Sequence, residues 1–169
     1  EGEAVRAGQV LFVVDNSTYQ AAVRQAEASV ASAQSGISRA QATVVQAQAA
    51  LTSAQAQAAT AQLTYSNSKN LYSNKVIGEY EMQSAKNTYE TAQAAVNQAK
   101  SSFQSAHSGV KQAEAALKQA QAGLASAKDN LSFCYVKSPT SGFVGSLPYK
   151  EGALVSPSSA MPVTTVSNI

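Results

Sequence analysis

The chain has 169 residues, enough for one ordinary domain, but with no Trp, four Phe and two Met it lacks the large side chains that fill a sizeable globular core. Charged residues make up 13%, and the net charge of +2 comes from scattered Lys and Arg without a run or patch, which excludes the electrostatic footprint of a nucleic-acid binder. The longest apolar run, VLFVV, is far too short to cross a bilayer, and a start at Glu1 with no Met, signal peptide or lipidation box is expected of an excised piece whose export signal or anchor lies elsewhere.

In chain order, LFVVDNSTYQ (11–20) reads as a strand that stops at Asp15 and hands over to a helix. Ser17 followed by Gln20 fits a capping box, the hydroxyl serving the amide three residues on while the Gln side chain reaches back. From there a seven-residue period sets in. The large row is Val23, Val30, Ile37, Val44, Leu51, Ala58, Tyr65 and Tyr72, and Ala26, Ala33, Ala40, Ala47, Ala54 and Ala61 each follow three residues later. Ser68 alone breaks the alanine row. The positions next to it, from Glu27 through Gln34, Gln41, Gln48, Gln55 and Gln62 to Lys69, form a polar flank.

SNKVIG (73–78) interrupts this period, and a second one follows. Its large row is Met82, Tyr89, Val96, Phe103, Val110, Leu117, Leu124 and Leu131, with Ala85, Ala92, Ala99, Ala106, Ala113, Ala120 and Ala127 at the same offset. Gly78 serves as the cap of this second helix, Glu79 and Glu81 face its positive end, and Ile77 and Met82 are spaced for a hydrophobic staple. Two strict heptad runs joined by a short break predict two helices, each roughly 80 Å long, folded into an antiparallel left-handed coiled coil. Antiparallel pairing is expected to set a large residue of one helix against an alanine of the other, which brings the backbones close. One flank of the second helix (Thr88, Ala95, Ser102, Gly109, Ala116, Gly123, Asn130) carries only small or short side chains, which suits either a tight two-helix seam or lateral packing against neighbouring copies.

After the helices, FCYVK, GFVGSL, ALV and PVTTV read as short strands, to be joined by LFVV from the other end of the chain. The segments EGEAVRAGQVLFVVDN and EGALVSPSSAMPVTTVSN align as two copies, Glu1 and Gly2 with Glu151 and Gly152, Val5 with Val155, and Asn16 with Asn168. The fold class is therefore α+β: a coiled-coil hairpin (16–131, tip near 73–78) inserted into a small β domain made of 1–15 and 132–169. Closing so long an insertion costs little, because the hairpin brings its own ends together. The single cysteine, Cys134, excludes an internal disulfide and is expected as a small buried strand residue.

A half-lipoyl repeat interrupted by a long hairpin resembles the periplasmic adaptor proteins (membrane fusion proteins) of tripartite efflux and secretion systems. The motifs that carry the resemblance are EAVRAGQVLFVVDNSTYQAAVRQAEA, NLYSNKVIGEYEMQSAKNTYETA and LSFCYVKSPTSGFVGSLPYKEGALV, in that order. SGFVG and EGALV before VTTVSN look most like adaptors of resistance-nodulation-division (RND) pumps. The resemblance implies a lipoyl/biotinyl-like β domain, self-association into a ring, a periplasmic location, an inner-membrane transporter reached through domains outside this chain, and a TolC-like outer-membrane channel at the hairpin tip. The tip residues so implicated are Asn67, Leu71, Lys75, Val76, Ile77, Gly78 and Tyr80. RND-type tips carry an Arg, a Leu four residues on and a Ser seven beyond; here Leu71 matches, while Asn67 and Gly78 depart. The hairpin is also long for an RND adaptor, which keeps adaptors of ABC-type and major-facilitator exporters open as the alternative.

Chemistry is sparse. True lipoyl and biotinyl domains carry a modified lysine on the turn joining their halves, whereas VVDNSTY at that junction has none, so no cofactor and no swinging arm are expected. His107 is the only histidine and has no partner at ligand spacing, which gives neither a metal site nor an acid–base pair. SPTSGFVG lacks the lysine of a phosphate loop and reads as a turn. Of the four tyrosines near the tip, Tyr65, Tyr72 and Tyr89 sit on the seam and Tyr80 falls off it, which makes Tyr80 the better contact residue. The expectation is a non-enzymatic assembly part, with an enzyme-associated carrier domain and a free-standing coiled coil as the competing readings.

Overall fold

The computed structural model describes residues 2–156 and 162–167. Along the chain run β1 (Ala4–Val5), β2 (Val10–Val13), α1 (Ser17–Ser73), α2 (Glu79–Phe133), β3 (Tyr135–Lys137), β4 (Gly142–Val144) and β5 (Val166–Ser167). They divide into two compact units, residues 1–27 with 123–169, and residues 28–122.

In the first unit the two ends of the chain pair with each other. β2 runs antiparallel to β3, with Val10 opposite Lys137, Phe12 opposite Val136 and Val13 opposite Tyr135, and an irregularity between Val10 and Phe12. The Val14 N–H donates to Cys134 O at 2.8 Å and extends this ladder. A three-stranded antiparallel sheet of order β1–β4–β5 joins the same ends again, through Ala4–Phe143 and Val5–Gly142 on one side of β4 and Phe143–Ser167 and Val144–Val166 on the other. Among the described residues of this unit, Val5, Cys134 and Ser138 are buried. The SPTSG turn is tied to the β1–β2 loop: Gly8 N–H donates to Ser138 O (2.7 Å), Ser138 N–H to Gln9 O (2.8 Å) and Ala7 N–H to Ser141 Oγ (3.0 Å). Gly145 lies so close to Thr165 that a Cβ there would collide with the Thr165 hydroxyl, while its N–H donates to Thr165 O at 2.7 Å.

Several strand expectations are corrected. Phe133 closes α2 rather than opening a strand, and buried Cys134 sits in the turn between α2 and β3. Residues 153–155 and 162–165 form no strand; runs of three to five residues carry too little alternation to specify a ladder without a fitting partner edge. Of the aligned repeat, Gly2 and Gly152 share a left-handed backbone (φ 75° and 85°), while Glu1 and Asn168 lie outside the described residues.

The start of α1 also differs from the capping box expected at Ser17. Asn16 is the cap: its carbonyl accepts the Gln20 N–H (2.8 Å), and its Oδ1 accepts Gln20 Nε2 (2.9 Å). The Ser17 N–H donates instead to Asp15 Oδ1 at 3.1 Å. Asp15, Asn16 and Ser17 are all good cap residues, so the sequence alone leaves the choice open by one or two positions. Asn16 Nδ2 donates to the Tyr135 hydroxyl at 3.0 Å, and this cross-chain bond favours Asn16.

In the second unit the heptad rows are visible as burial. On α1, every large-row and alanine-row position from Val30 to Ser68 is buried or half-buried; on α2, every one from Met82 to Ala120 is half-buried. The flanking glutamines are exposed throughout. The stacked rings of Tyr65 and Tyr89, with centroids 6.0 Å apart and planes 15° apart, fix the register. Large therefore meets large here, not large against alanine as the rows led one to expect. Carried along both helices by heptads, the same register sets Leu51 against Phe103 and Ala54 against Ala99, and Ala47 and Ala106 do line one groove. Layers of two large residues alternate with layers of two alanines, except that Ala58 meets Val96 in the large row and Ser68 interrupts the alanine row.

Candidate functional site

The turn between the helices, residues 74–78, follows from how each helix end satisfies its backbone. At the end of α1 the Val76 N–H reaches back to Leu71 O (2.9 Å) and the Lys75 N–H to Tyr72 O (2.9 Å), the paired bonds of a Schellman motif. That motif needs a left-handed residue between them, and Lys75 takes it at φ 58°. A side chain in this conformation costs about 1 kcal/mol relative to glycine.

The start of α2 is held as reciprocally. Gly78 O accepts the Met82 N–H (3.3 Å), and Glu81 reaches back so that its Oε2 accepts the Gly78 N–H (3.0 Å). Glu79 and Glu81 both lie in the first turn, where the helix dipole favours carboxylates. Ile77 and Met82 are half-buried, as a staple requires.

Of the tip residues the sequence singled out, the turn brings Leu71, Lys75, Val76, Ile77, Gly78 and Tyr80 into one short segment, while Asn67 sits a turn earlier on the exposed side of α1. Three large side chains stand out into solvent: Leu71 is 42% exposed, Val76 66% and Tyr80 85%. The Schellman geometry supplies a structural reason for part of this, since apolar residues at the positions of Leu71 and Val76 commonly touch across such a turn. It supplies none for Tyr80. Tyr72, expected on the seam, is exposed at the last turn of α1.

Beside the turn lies a feature the heptad reading missed, an open groove of about 660 Å³ walled by Thr60, Thr64 and Ser68 of α1 and by Tyr80, Ser84 and Thr88 of α2. Its threonine hydroxyls donate to their own helix, Thr60 to Ala56 O (3.2 Å), Thr64 to Thr60 O (3.1 Å) and Thr88 to Ser84 O (2.9 Å). The break of the alanine row at Ser68 was the one sequence signal for it.

Among the described residues no three His, Cys, Asp or Glu side chains gather where a metal ion could sit. His107 lies exposed on α2, stacked against Phe103 one turn before it at 6.3 Å. No helix among the described residues is long and apolar enough to cross a membrane.

The helical segment, with its two capped ends and the turn between them, matches a family model, the YBHG alpha-helical hairpin domain, over residues 14–133. The chain belongs to this family. The YBHG hairpin is a domain of adaptor proteins. Among solved structures the chain is similar to the periplasmic adaptor protein EmrA, at 12% identity and a TM-score of 0.48, with 99% of this chain and 66% of that one covered. It is also similar to MacA from Actinobacillus actinomycetemcomitans, at 25% identity and a TM-score of 0.40, with 99% of this chain and 43% of that one covered. The chain thus spans less than two thirds of the length of either. No curated protein sequence matches it.

Proposed function

We propose that the chain is the hairpin-bearing segment of a periplasmic adaptor in a tripartite multidrug efflux pump, bridging an inner-membrane RND transporter to a TolC-like outer-membrane channel. The observation that carries this reading is the match of residues 14–133 to the YBHG hairpin domain, together with a capped turn that leaves Leu71, Val76 and Tyr80 in solvent. The strands of the first unit act as a lipoyl-like domain that orders copies into a ring, the heptad seam supplies reach and stiffness, and the turn engages the channel. The work is assembly, without a reaction and without a cofactor.

The length of the helices, 57 residues in α1 and 55 in α2, supports a second reading, an adaptor of an ABC-type or major-facilitator exporter. Affinity purification of the full-length protein from detergent-solubilised envelopes, with mass spectrometry of what accompanies it, tests both. The proposal expects one inner-membrane transporter and one outer-membrane channel, and the class of the transporter decides between the readings. Recovery of neither, under conditions that retain other envelope complexes, overturns it.

A further inference from the structure

Among the described residues four have a left-handed backbone, and three of them are the glycines Gly2, Gly8 and Gly152. The fourth is Lys75. The Schellman position it occupies is the one glycine fills by default, since every side chain is strained there. A side chain at a position where its own Cβ is unfavourable raises the question of what the atoms beyond the Cβ do.

Two services inside the molecule could explain a lysine, and the hydrogen bonds leave neither with much to do. A cation past a helix end can satisfy the last carbonyls and offset the dipole. Here those carbonyls already have partners: Asn70 O accepts the Asn74 N–H and the Ser73 hydroxyl, Leu71 O accepts the Val76 N–H, and Tyr72 O accepts the Lys75 N–H. Lys75 could instead pair with Glu79 or Glu81 across the turn, but among the described residues the ion pair is Lys86–Glu90, and neither acid of the turn forms one with Lys75. The Lys75 side chain is exposed, with exposed Val76 following it in the chain.

We infer that Lys75 is a specificity-determining contact residue whose ammonium pairs with a carboxylate on the partner that the hairpin turn engages. This rests on the reading of the turn as a docking site and adds the chemistry of the surface it meets: an acidic residue beside an apolar patch that receives Val76 and Leu71. Lys75 is exposed and lies two residues beyond Ser73, the last residue of α1.

The test places a photo-crosslinking amino acid at exposed Asn74 of the full-length protein in its own host, and reads the yield of the crosslink to the outer-membrane channel identified by mass spectrometry. Lys75→Arg should keep the yield; Lys75→Gly should lower it by roughly two- to threefold and Lys75→Glu by about fivefold or more, the scale set by one exposed ion pair lost or reversed. In parallel, Lys75→Gly should raise the melting temperature of the purified protein, because the strain is gone. A Lys75→Gly variant that is more stable and crosslinks as well as the unsubstituted protein overturns the role of the lysine while leaving docking intact. Absence of any channel crosslink in the unsubstituted protein, with the label incorporated, overturns docking and the lysine's role together.

Discussion

Replacing Ala99 by leucine puts the register to a quantitative test. Ala99 is half-buried on α2, and the Tyr65–Tyr89 stack places it opposite half-buried Ala54, in a layer built from two methyl groups. Leucine brings three more carbons into that layer. If they were buried without strain they would add about 0.8 kcal/mol each. The neighbouring layers prevent this, because Leu51 and Phe103 on one side and Ala58 and Val96 on the other hold the helices at a spacing set by their own contacts. Overpacking of this kind costs about 1 to 3 kcal/mol, and partial escape of the side chain toward solvent puts the expectation near 1 to 2 kcal/mol. For a chain of this size that is a fall of about 2 to 8 °C in melting temperature, read by circular dichroism at 222 nm. Gln98→Leu, one residue away on the exposed face, is the control and should stay within about 0.5 kcal/mol. Equal shifts for the two variants, or a gain for Ala99→Leu, would refute the alternation of large and small layers.

Gly145→Ala should destabilise the strand unit by about 1 kcal/mol or more, because its Cβ runs into Thr165; limited proteolysis should then cut between β4 and β5 sooner than in the parent. Glu81→Ala removes the bond to the Gly78 N–H and should lower helix stability by about 0.5 to 1 kcal/mol, whereas Glu81→Gln should recover most of it in thermal melts. The backbone N–H and then the hydroxyl of Ser17 hold the Asp15 carboxyl below its ordinary value of 3.8. Its contribution to stability is therefore complete above that value and fades as pH falls through the lower, folded-state value; Asp15→Asn should flatten this acid limb of a melting-temperature profile, and an unchanged limb would remove Asp15 from the account.

The helical part of the fold was legible because a heptad repeats one packing decision many times over. Each large position and each alanine of the two runs is a separate vote for the same face, and local irregularities such as Ser68 do not outweigh the rest. The register was not legible, because sliding one helix by three or four residues presents an equally regular pair of rows; the turn settles it, through the Schellman bonds to Leu71 and Tyr72 and the capping bond of Glu81. The second helix start could be read to the residue, since Gly78 and Glu81 have no competing neighbours. The first could not, with Asp15, Asn16 and Ser17 adjacent and a cross-chain bond from Asn16 to Tyr135 deciding among them. Short strands were the least legible element. Val166–Ser167 is a strand because Phe143 and Val144 offer an edge, while Ala153–Val155, more apolar, finds none. At the turn, sequence and resemblance pointed to the segment around 73–78 but gave no sign that Lys75 would hold the strained position, because left-handed backbone is announced by glycine and a lysine conceals it.

The central functional claim is that the turn is a docking surface, and charge placed on its most exposed aliphatic residue tests it most directly. Val76 is 66% exposed, and its N–H, not its side chain, closes α1, so Val76→Asp should leave the hairpin folded. The measurement is drug export by cells lacking the native adaptor and carrying the full-length Val76→Asp protein, with helicity and melting temperature of the purified variant alongside. The account predicts lost export with helicity unchanged and stability within about 0.5 kcal/mol of the parent. Full export by a folded Val76→Asp protein would contradict it.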